Sequence, residues 1–372
     1  MSKTTVTVQS ICDVMDDWAP PALAYDWDRS GLALGDPQRA VARVLTCLTV
    51  TPAAVKAARK ARAQMIVSHH PLIWEPLRHL RAENATARLC LELAQAEIAC
   101  FSAHTNLDVV PDGVNCVLAK QIGLRDLRAL IPVKQAVQLK LVTFVPESHL
   151  AAVRDAVSAA GAGKIGEYTH CSFSSPGVGT FTPSPKADPY SGEVGVLNEE
   201  PERRFETLFP KARLGSVLRA LAEAHPYEEA PYDLCVLENR DRSIGLGLAG
   251  EVPKAMTLRA FAELVRIELG LSYVRMIGDG RRKVRRVGVI GGSGGGQIAE
   301  VPGGIDVLVT GDVKYHEALE ALDRGLCVID AGHAGTELGI VPAMAAYLRK
   351  RLAVKVSTYM EPEILQLVSE TT

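Results

Sequence analysis

The sequence predicts an α/β protein: a split α/β domain with a mixed sheet and flanking helices, interrupted by an inserted ferredoxin-like α+β module. Three observations predict it. Short apolar runs alternate with amphipathic stretches of helix length near the start of the chain, and the same style resumes after about residue 243. From about residue 138 the pattern changes to a βα unit, polar hairpins, a second βα unit and a closing strand. Groups able to bind a metal fall at strand ends in both outer segments and nowhere in the middle one. That distribution favours one domain, 1–130 with 243–372, split by a module at 138–240, over three domains in series.

In the first segment, VARVLTCLTV (41–50) reads as a strand and PAAVKAARKARAQ (52–64) as a helix. MIVS (65–68) is a strand, ATARLCLELAQAE (85–97) a helix and IACFSAH (98–104) a strand. Strands separated by helices of this length imply a sheet with helical crossovers. In the middle segment KLVTFVP (140–146), RFETLFP (204–210) and YDLCVLE (232–238) are strand-like. SHLAAVRDAVSAAGA (148–162) and KARLGSVLRALAEAHP (211–226) are helical, and the Gly/Ser/Pro/Thr-rich stretch 168–192 is read as polar hairpins. In the last segment a helix at TLRAFAELVRIELG precedes three strands, VRRVGVIGG (284–292), IDVLVTGD (305–312) and LCVIDAGH (326–333).

At 372 residues the chain is long for one hydrophobic core, and 47% hydrophobic residues suffice to build a large one. A net charge of −2 lacks the basic footprint of a nucleic-acid-binding protein. No stretch approaches the roughly 20 apolar residues that span a bilayer, and MSKTTVTVQSICDVMDDW lacks a signal-peptide core. The eight cysteines form no C-x-x-C pair and mostly sit in apolar runs, as small buried hydrophobes in a reducing compartment do. The expectation is a soluble cytoplasmic protein with no membrane or nucleic-acid partner.

The chemistry lies where strands stop. MIVS leads into His69 and His70, CFSA into His104 and Asp108, VLVTG into Asp312 and His316, and CVIDAG into His333 and Glu337. Ligands of open α/β sheets bind beyond the carboxyl ends of the strands. His333 and Glu337 are i and i+4, so on a helix opening there they share a face, and Asp312 with His316 repeats the spacing. Where a strand gives way to a loop its alternation relaxes, so the adjacent His69 and His70 can serve different ions in one crevice. Imidazole with carboxylate suits zinc, iron or manganese rather than calcium. The set His69, His70, Asp108, His333 and Glu337 is the expected metal site. His104, Asp312 and His316 are assigned to orienting the ligands or moving protons. A single histidine is more often structural or solvated than a ligand; His79, His149, His170 and His225 lack a carboxylate partner at a strand end and are read that way.

VGVIGGSGGGQI (287–298) has no G-K-[ST] and is not a P-loop. A phosphate cradle and tight packing beside the metal crevice both remain open for it. Cys171 beside His170 is read as incidental.

WDRSGLALGD (27–36), IVSHHPLIW (66–74), HTNLDVVPDGVN (104–115), VTGDVKYHEALEA (309–321) and DAGHAGTELGIVPAM (330–344) together resemble a known family. It is the dinuclear-metal-centre hexameric proteins, also called GTP cyclohydrolase I type 2 homologues or Ngg-interacting-factor-three-like proteins. The resemblance covers nearly all of 1–130 and 243–372. It implies that His69, His70, Asp108, His333 and Glu337 bind two divalent ions per subunit, in a toroidal homohexamer whose sites face an internal cavity. GEYTHCSFSSPGVGTF and HPYEEAPYDL place 138–240 beside the PII/CutA-like insertion of the family's longer members. The reading is therefore a hydrolase of a nucleotide or phosphorylated small molecule, using two divalent ions, zinc first and iron or manganese as alternatives. The competing reading is a non-catalytic metal-holding hexamer whose inserted module senses a small ligand.

Overall fold

The computed structural model describes residues 5–365. The chain divides into two compact units: Met1–Val133 with Arg242–Thr372, and Lys134–Asp241. The fold is α/β with mixed sheets and flanking helices.

The larger unit holds two sheets. The first runs Gly31–Leu34, Ala99–Ser102, Met65–Ser68, Arg43–Cys47, Lys355–Thr358 across its width; all neighbours are parallel except the Gly31–Leu34 edge. The second runs Arg275–Ile277, Cys327–Asp330, Val307–Thr310, Lys283–Val289, Gly245–Thr257, Arg125–Pro132, with its three inner strands from Cys327 to Val289 parallel. Each sheet borrows one strand from the far end of the chain. Lys355–Thr358 pairs with Arg43–Cys47, and Arg125–Pro132 pairs with Gly245–Thr257. The two outer segments therefore cannot fold as separate sheets without losing an edge.

The parallel strands are apolar on both faces, as burial on both faces requires: Met65–Ser68, Ala99–Ser102, Val307–Thr310 and Cys327–Asp330 are buried throughout. Leu45, Ile66 and Cys100 of the first sheet pack on Val55 and Ala58 of the helix Pro52–Ala61 and Leu93 of Ala85–Gln95. Thr51 and Asn84 cap these helices, each accepting a backbone N–H with its side-chain oxygen. Val287, Val309 and Ile329 of the second sheet pack on Leu118 of the helix Val114–Gln121 and Phe261 and Val265 of Leu258–Glu268. A buried side chain of this kind contributes about 1.5–3 kcal/mol. Among the described residues no helix is long and apolar enough to cross a membrane. Six of the eight cysteines are buried, and Cys171 and Cys235 are the others; all are free thiols.

The smaller unit follows a β-α-β-β-α-β path. Its antiparallel sheet runs Ser172–Phe181, Asn198–Pro210, Val137–Pro146, Tyr232–Arg240, with helices Leu150–Ala159 and Leu214–Ala224 on one face. The stretch expected to form polar hairpins contains the ten-residue strand Ser172–Phe181. Its Gly, Ser and Pro content hid the strand, and the strand tolerates Pro176 because it lies at the sheet edge. Gly245–Thr257 escaped notice for a related reason. Its glycines weaken β propensity, yet a Cβ at Gly247 would lie 2.5 Å from the Val289 carbonyl oxygen.

Pro132 and Gly245 are register partners, so the chain leaves and re-enters the larger unit at adjacent points of one ladder. Replacing Lys134–Asp241 by a short turn should therefore leave a folded remainder with a cooperative thermal transition. A molten remainder would show that the larger unit depends on the excised one.

Candidate metal centre

Each histidine of the cluster emerges from the carboxyl end of a buried parallel strand, where backbone pairing stops and side chains are free to converge. His69 and His70 follow Met65–Ser68, and His104 follows Ala99–Ser102 and opens the short helix Thr105–Val109 that carries Asp108. His333 opens the helix His333–Glu337, so the i, i+4 pair shares a face as the spacing predicts. His333 Nε2 lies 3.2 Å from Glu337 Oε2.

The Glu337 carboxylate is nearly enclosed and presents its two oxygens to two donor groups. Oε1 lies 3.6 Å from His69 Nε2, which is also 3.6 Å from Asp108 Oδ1. Oε2 lies 3.0 Å from His70 Nε2 and 3.2 Å from His333 Nε2. Three sets of side chains bring one donor atom each within 4.8 Å of one another: His69, Asp108 and Glu337; His70, His333 and Glu337; His69, His70 and His104.

The opposite ring nitrogens are held by other groups. His69 Nδ1 donates to the Ala103 carbonyl at 2.8 Å, His333 Nδ1 to Asp312 Oδ2 at 2.7 Å and His104 Nδ1 to Asp28 Oδ1 at 2.7 Å. His70 Nδ1 is 2.7 Å from the Thr49 hydroxyl. Carbonyl and carboxylate acceptors fix a proton on Nδ1 of these three rings and turn Nε2 toward the cluster, the orientation of metal-ligating histidines. His69 Nε2 and Asp108 Oδ1 are buried with no hydrogen-bond partner among the described residues. Two such orphans facing each other are costly unless a cation lies between them. The donor set fits a divalent transition metal.

Charge is strongly coupled here. Burial draws His69 down, but Asp108 and Glu337 outweigh it and raise it to about 9. The hydrogen bond to Glu337, with help from Asp312, raises His333 to about 9 as well. Burial lowers His70. Burial lifts Asp108 to about 6, against the pull of His69. Burial also works to raise Glu337, but the imidazoles of His333, His69 and His70 around it prevail and hold it well below the usual carboxylate range.

Asp312 belongs to this arrangement by a different route from the expected one. The helix begins at Tyr315, so Asp312 and His316 do not form a helical pair. Asp312 instead adopts a left-handed conformation, φ 55°, and reaches His333. His316 is exposed, its ring against Tyr315 at 5.4 Å, and no contact joins it to the cluster among the described residues.

Asp28 and Thr49 are the partners that sequence reasoning missed. Asp28 accepts from His104 Nδ1, from the Ser30 and Thr105 hydroxyls, both at 2.6 Å, and from the Thr105 backbone at 3.0 Å. Burial opposes its ionisation, but these bonds hold the carboxyl far below its ordinary range. Asp28 stands in WDRSG, ahead of the strand Gly31–Leu34 rather than at the carboxyl end of one, and only its conjunction with a histidine 76 residues away marks it.

The glycine run approaches the cluster with its backbone. Gly292 donates to the Thr336 hydroxyl and has φ 68°, and a Cβ there would lie 2.2 Å from Glu337 Oε1. Close packing beside the crevice accounts for it. Gly292→Ala should destabilise the protein by about 1–3 kcal/mol in denaturant unfolding, from backbone strain and displacement of Glu337. A variant as stable as the parent would show that Glu337 yields freely.

An α/β unit with histidines and carboxylates gathered at the ends of parallel strands defines a protein with a candidate metal centre. Residues 6–363 match the family model Duf34/NIF3 (NGG1p interacting factor 3), and the chain belongs to that family. It is 37% identical over 326 residues to a Halalkalibacterium halodurans protein called GTP cyclohydrolase 1 type 2 homolog, covering 87% of this chain and 88% of the relative. A Bacillus subtilis protein of the same name is 38% identical over 330 residues, 88% of each chain. Among solved structures, the Bacillus cereus protein related to NIF3 superposes with a TM-score of 0.86 at 36% identity, over 98% of this chain and 100% of that one.

Proposed function

We propose that the chain binds two divalent metal ions per subunit and is a metal-dependent hydrolase of a nucleotide or phosphorylated small molecule. Zinc is the first choice, with iron or manganese as alternatives. One observation carries the reading: Glu337 offers one oxygen to His69 and Asp108 and the other to His70 and His333. A carboxylate shared between two donor sets is how a protein holds two ions side by side. The name of the curated relatives, GTP cyclohydrolase 1 type 2 homolog, supports hydrolytic chemistry on a nucleotide.

When bound, such ions supply Lewis-acid activation of an electrophile and of water. The chain's own residues do the rest. Asp108, Glu337, His69, His70 and His333 hold the ions, and Ala103, Thr49 and Asp312 fix the ring orientations. His104 stands beside the donors, its ring 5.3 Å from that of His69 and 5.8 Å from that of His70. With Nδ1 donating to the ionised Asp28, its Nε2 is oriented to accept a proton from a nucleophile or to join the ligands. A homohexameric assembly and a cytoplasmic setting belong to the same proposal. So does the assignment of 138–240 as an inserted PII/CutA-like module, supported by its β-α-β-β-α-β path.

The test is a nucleotide and phosphoester panel assayed with metal-loaded and metal-stripped protein. Turnover by the loaded form alone is expected, and His104→Ala should reduce it more than it reduces metal content. Two ions bound without turnover of any substrate would overturn the hydrolase reading in favour of the regulatory one. Equal loss of metal and activity in His104→Ala would place that residue among the ligands.

A further inference from the structure

The smaller unit contains a cavity of about 750 Å³, within the size range of small-molecule sites. It opens on the sheet face opposite the two helices. Phe144, Arg204 and Ser175 are register partners across three strands and line it, whereas Leu141, Val145 and Phe205 point to the helix-packed core.

The charge of its lining is one-sided. Glu202, Glu228 and Glu229 contribute three carboxylates against the single guanidinium of Arg204, whose Nε is already bonded to Glu206 at 2.7 Å. Glu202 is held in place: the Tyr227 hydroxyl donates to its Oε1 at 2.7 Å, and its Oε2 occupies the space over Gly179, where a Cβ would lie 2.4 Å from it. Burial and the Glu202 charge push the Tyr227 phenol up, so it remains a donor. Tyr190 faces Tyr227 with ring centroids 5.9 Å apart, and His149 abuts Tyr190 edge-on at 5.4 Å. A fixed carboxylate beside two tyrosine rings combines ion pairing with cation–π attraction.

We propose that this cavity binds a small organic cation, a protonated amine or guanidinium carried on an apolar or aromatic body. Glu202 Oε2 receives the charge, and Tyr190 and Tyr227 pack the body. The site is separate in the chain from the metal cluster, whose residues all lie outside Lys134–Asp241. Its existence does not depend on catalysis by that cluster.

Calorimetric titration of the full chain at low ionic strength tests the proposal, with benzylamine and agmatine as probes and benzyl alcohol and benzoate as controls. At least one cation should saturate a single site per chain, and both controls should bind about tenfold or more weaker. Glu202→Gln keeps the side-chain shape and should weaken the cation about tenfold. Tyr190→Ala, at a half-exposed position, should weaken it about threefold. Circular dichroism of both variants should match the parent. Binding of benzoate or benzyl alcohol as tight as that of the cations, wild-type affinity in Glu202→Gln, or no cation binding by the folded parent would overturn it.

Discussion

Glu337→Gln should remove most bound metal from the protein, weakening affinity by more than about 100-fold. The substitution preserves shape but replaces one acceptor oxygen by an amide, so one donor set loses its shared ligand whichever way the amide turns. It also removes the charge that raises His69 and His333. Both donor sets are therefore affected by one atom, and elemental analysis should show both ions depleted together. His70→Ala removes a donor from the set at Glu337 Oε2 and from the His69, His70, His104 set, and leaves His69, Asp108 and Glu337 Oε1 in place. It should deplete the ions unequally. Equal occupancy in Glu337→Gln and parent would refute the shared-carboxylate arrangement.

Metal affinity should fall steadily as pH drops below about 9, not only below the 6.5 of a free histidine. His69 and His333 are both raised to about 9, so at neutral pH the metal-free cluster holds protons that a metal must displace. Two protons give a slope approaching about two log units per pH unit. His70 is lowered and contributes little there, and Asp108, at about 6, adds a further proton below that pH. The same shifts fix the sign for the metal-free protein. Raised histidine values stabilise the fold fully below 6.5, and this stability is lost as pH rises through about 9. Melting temperature should therefore fall from pH 6.5 to pH 9 without metal, while the stabilisation added by saturating metal grows over that interval. Parallel curves for the two forms would contradict the assignment of His69 and His333 to the ion-binding cluster.

The cluster was legible because its residues sit at strand ends, where local sequence reports a position in space. MIVS followed by His69 and His70 required only that a buried strand stop there, and His333 with Glu337 required only helical spacing. The supporting groups were harder to read. Asp28 and Thr49 reach the histidines across 76 and 21 residues, and no periodicity links such positions. Asp312 and His316 misled because i, i+4 spacing has meaning only once a helix has begun, and this one begins at Tyr315. The fold shows the same division. Apolar strands such as Val307–Thr310 identified themselves, but Gly245–Thr257 and Ser172–Phe181 did not. Their glycines serve close packing and a cavity wall that a single sequence does not display.

Anomalous diffraction from crystals of the protein grown with zinc is the most direct test of the central claim. Two peaks per chain are predicted, one among His69, Asp108 and Glu337 Oε1 and the other among His70, His333 and Glu337 Oε2. A single peak, or peaks elsewhere with the cluster empty, would contradict it.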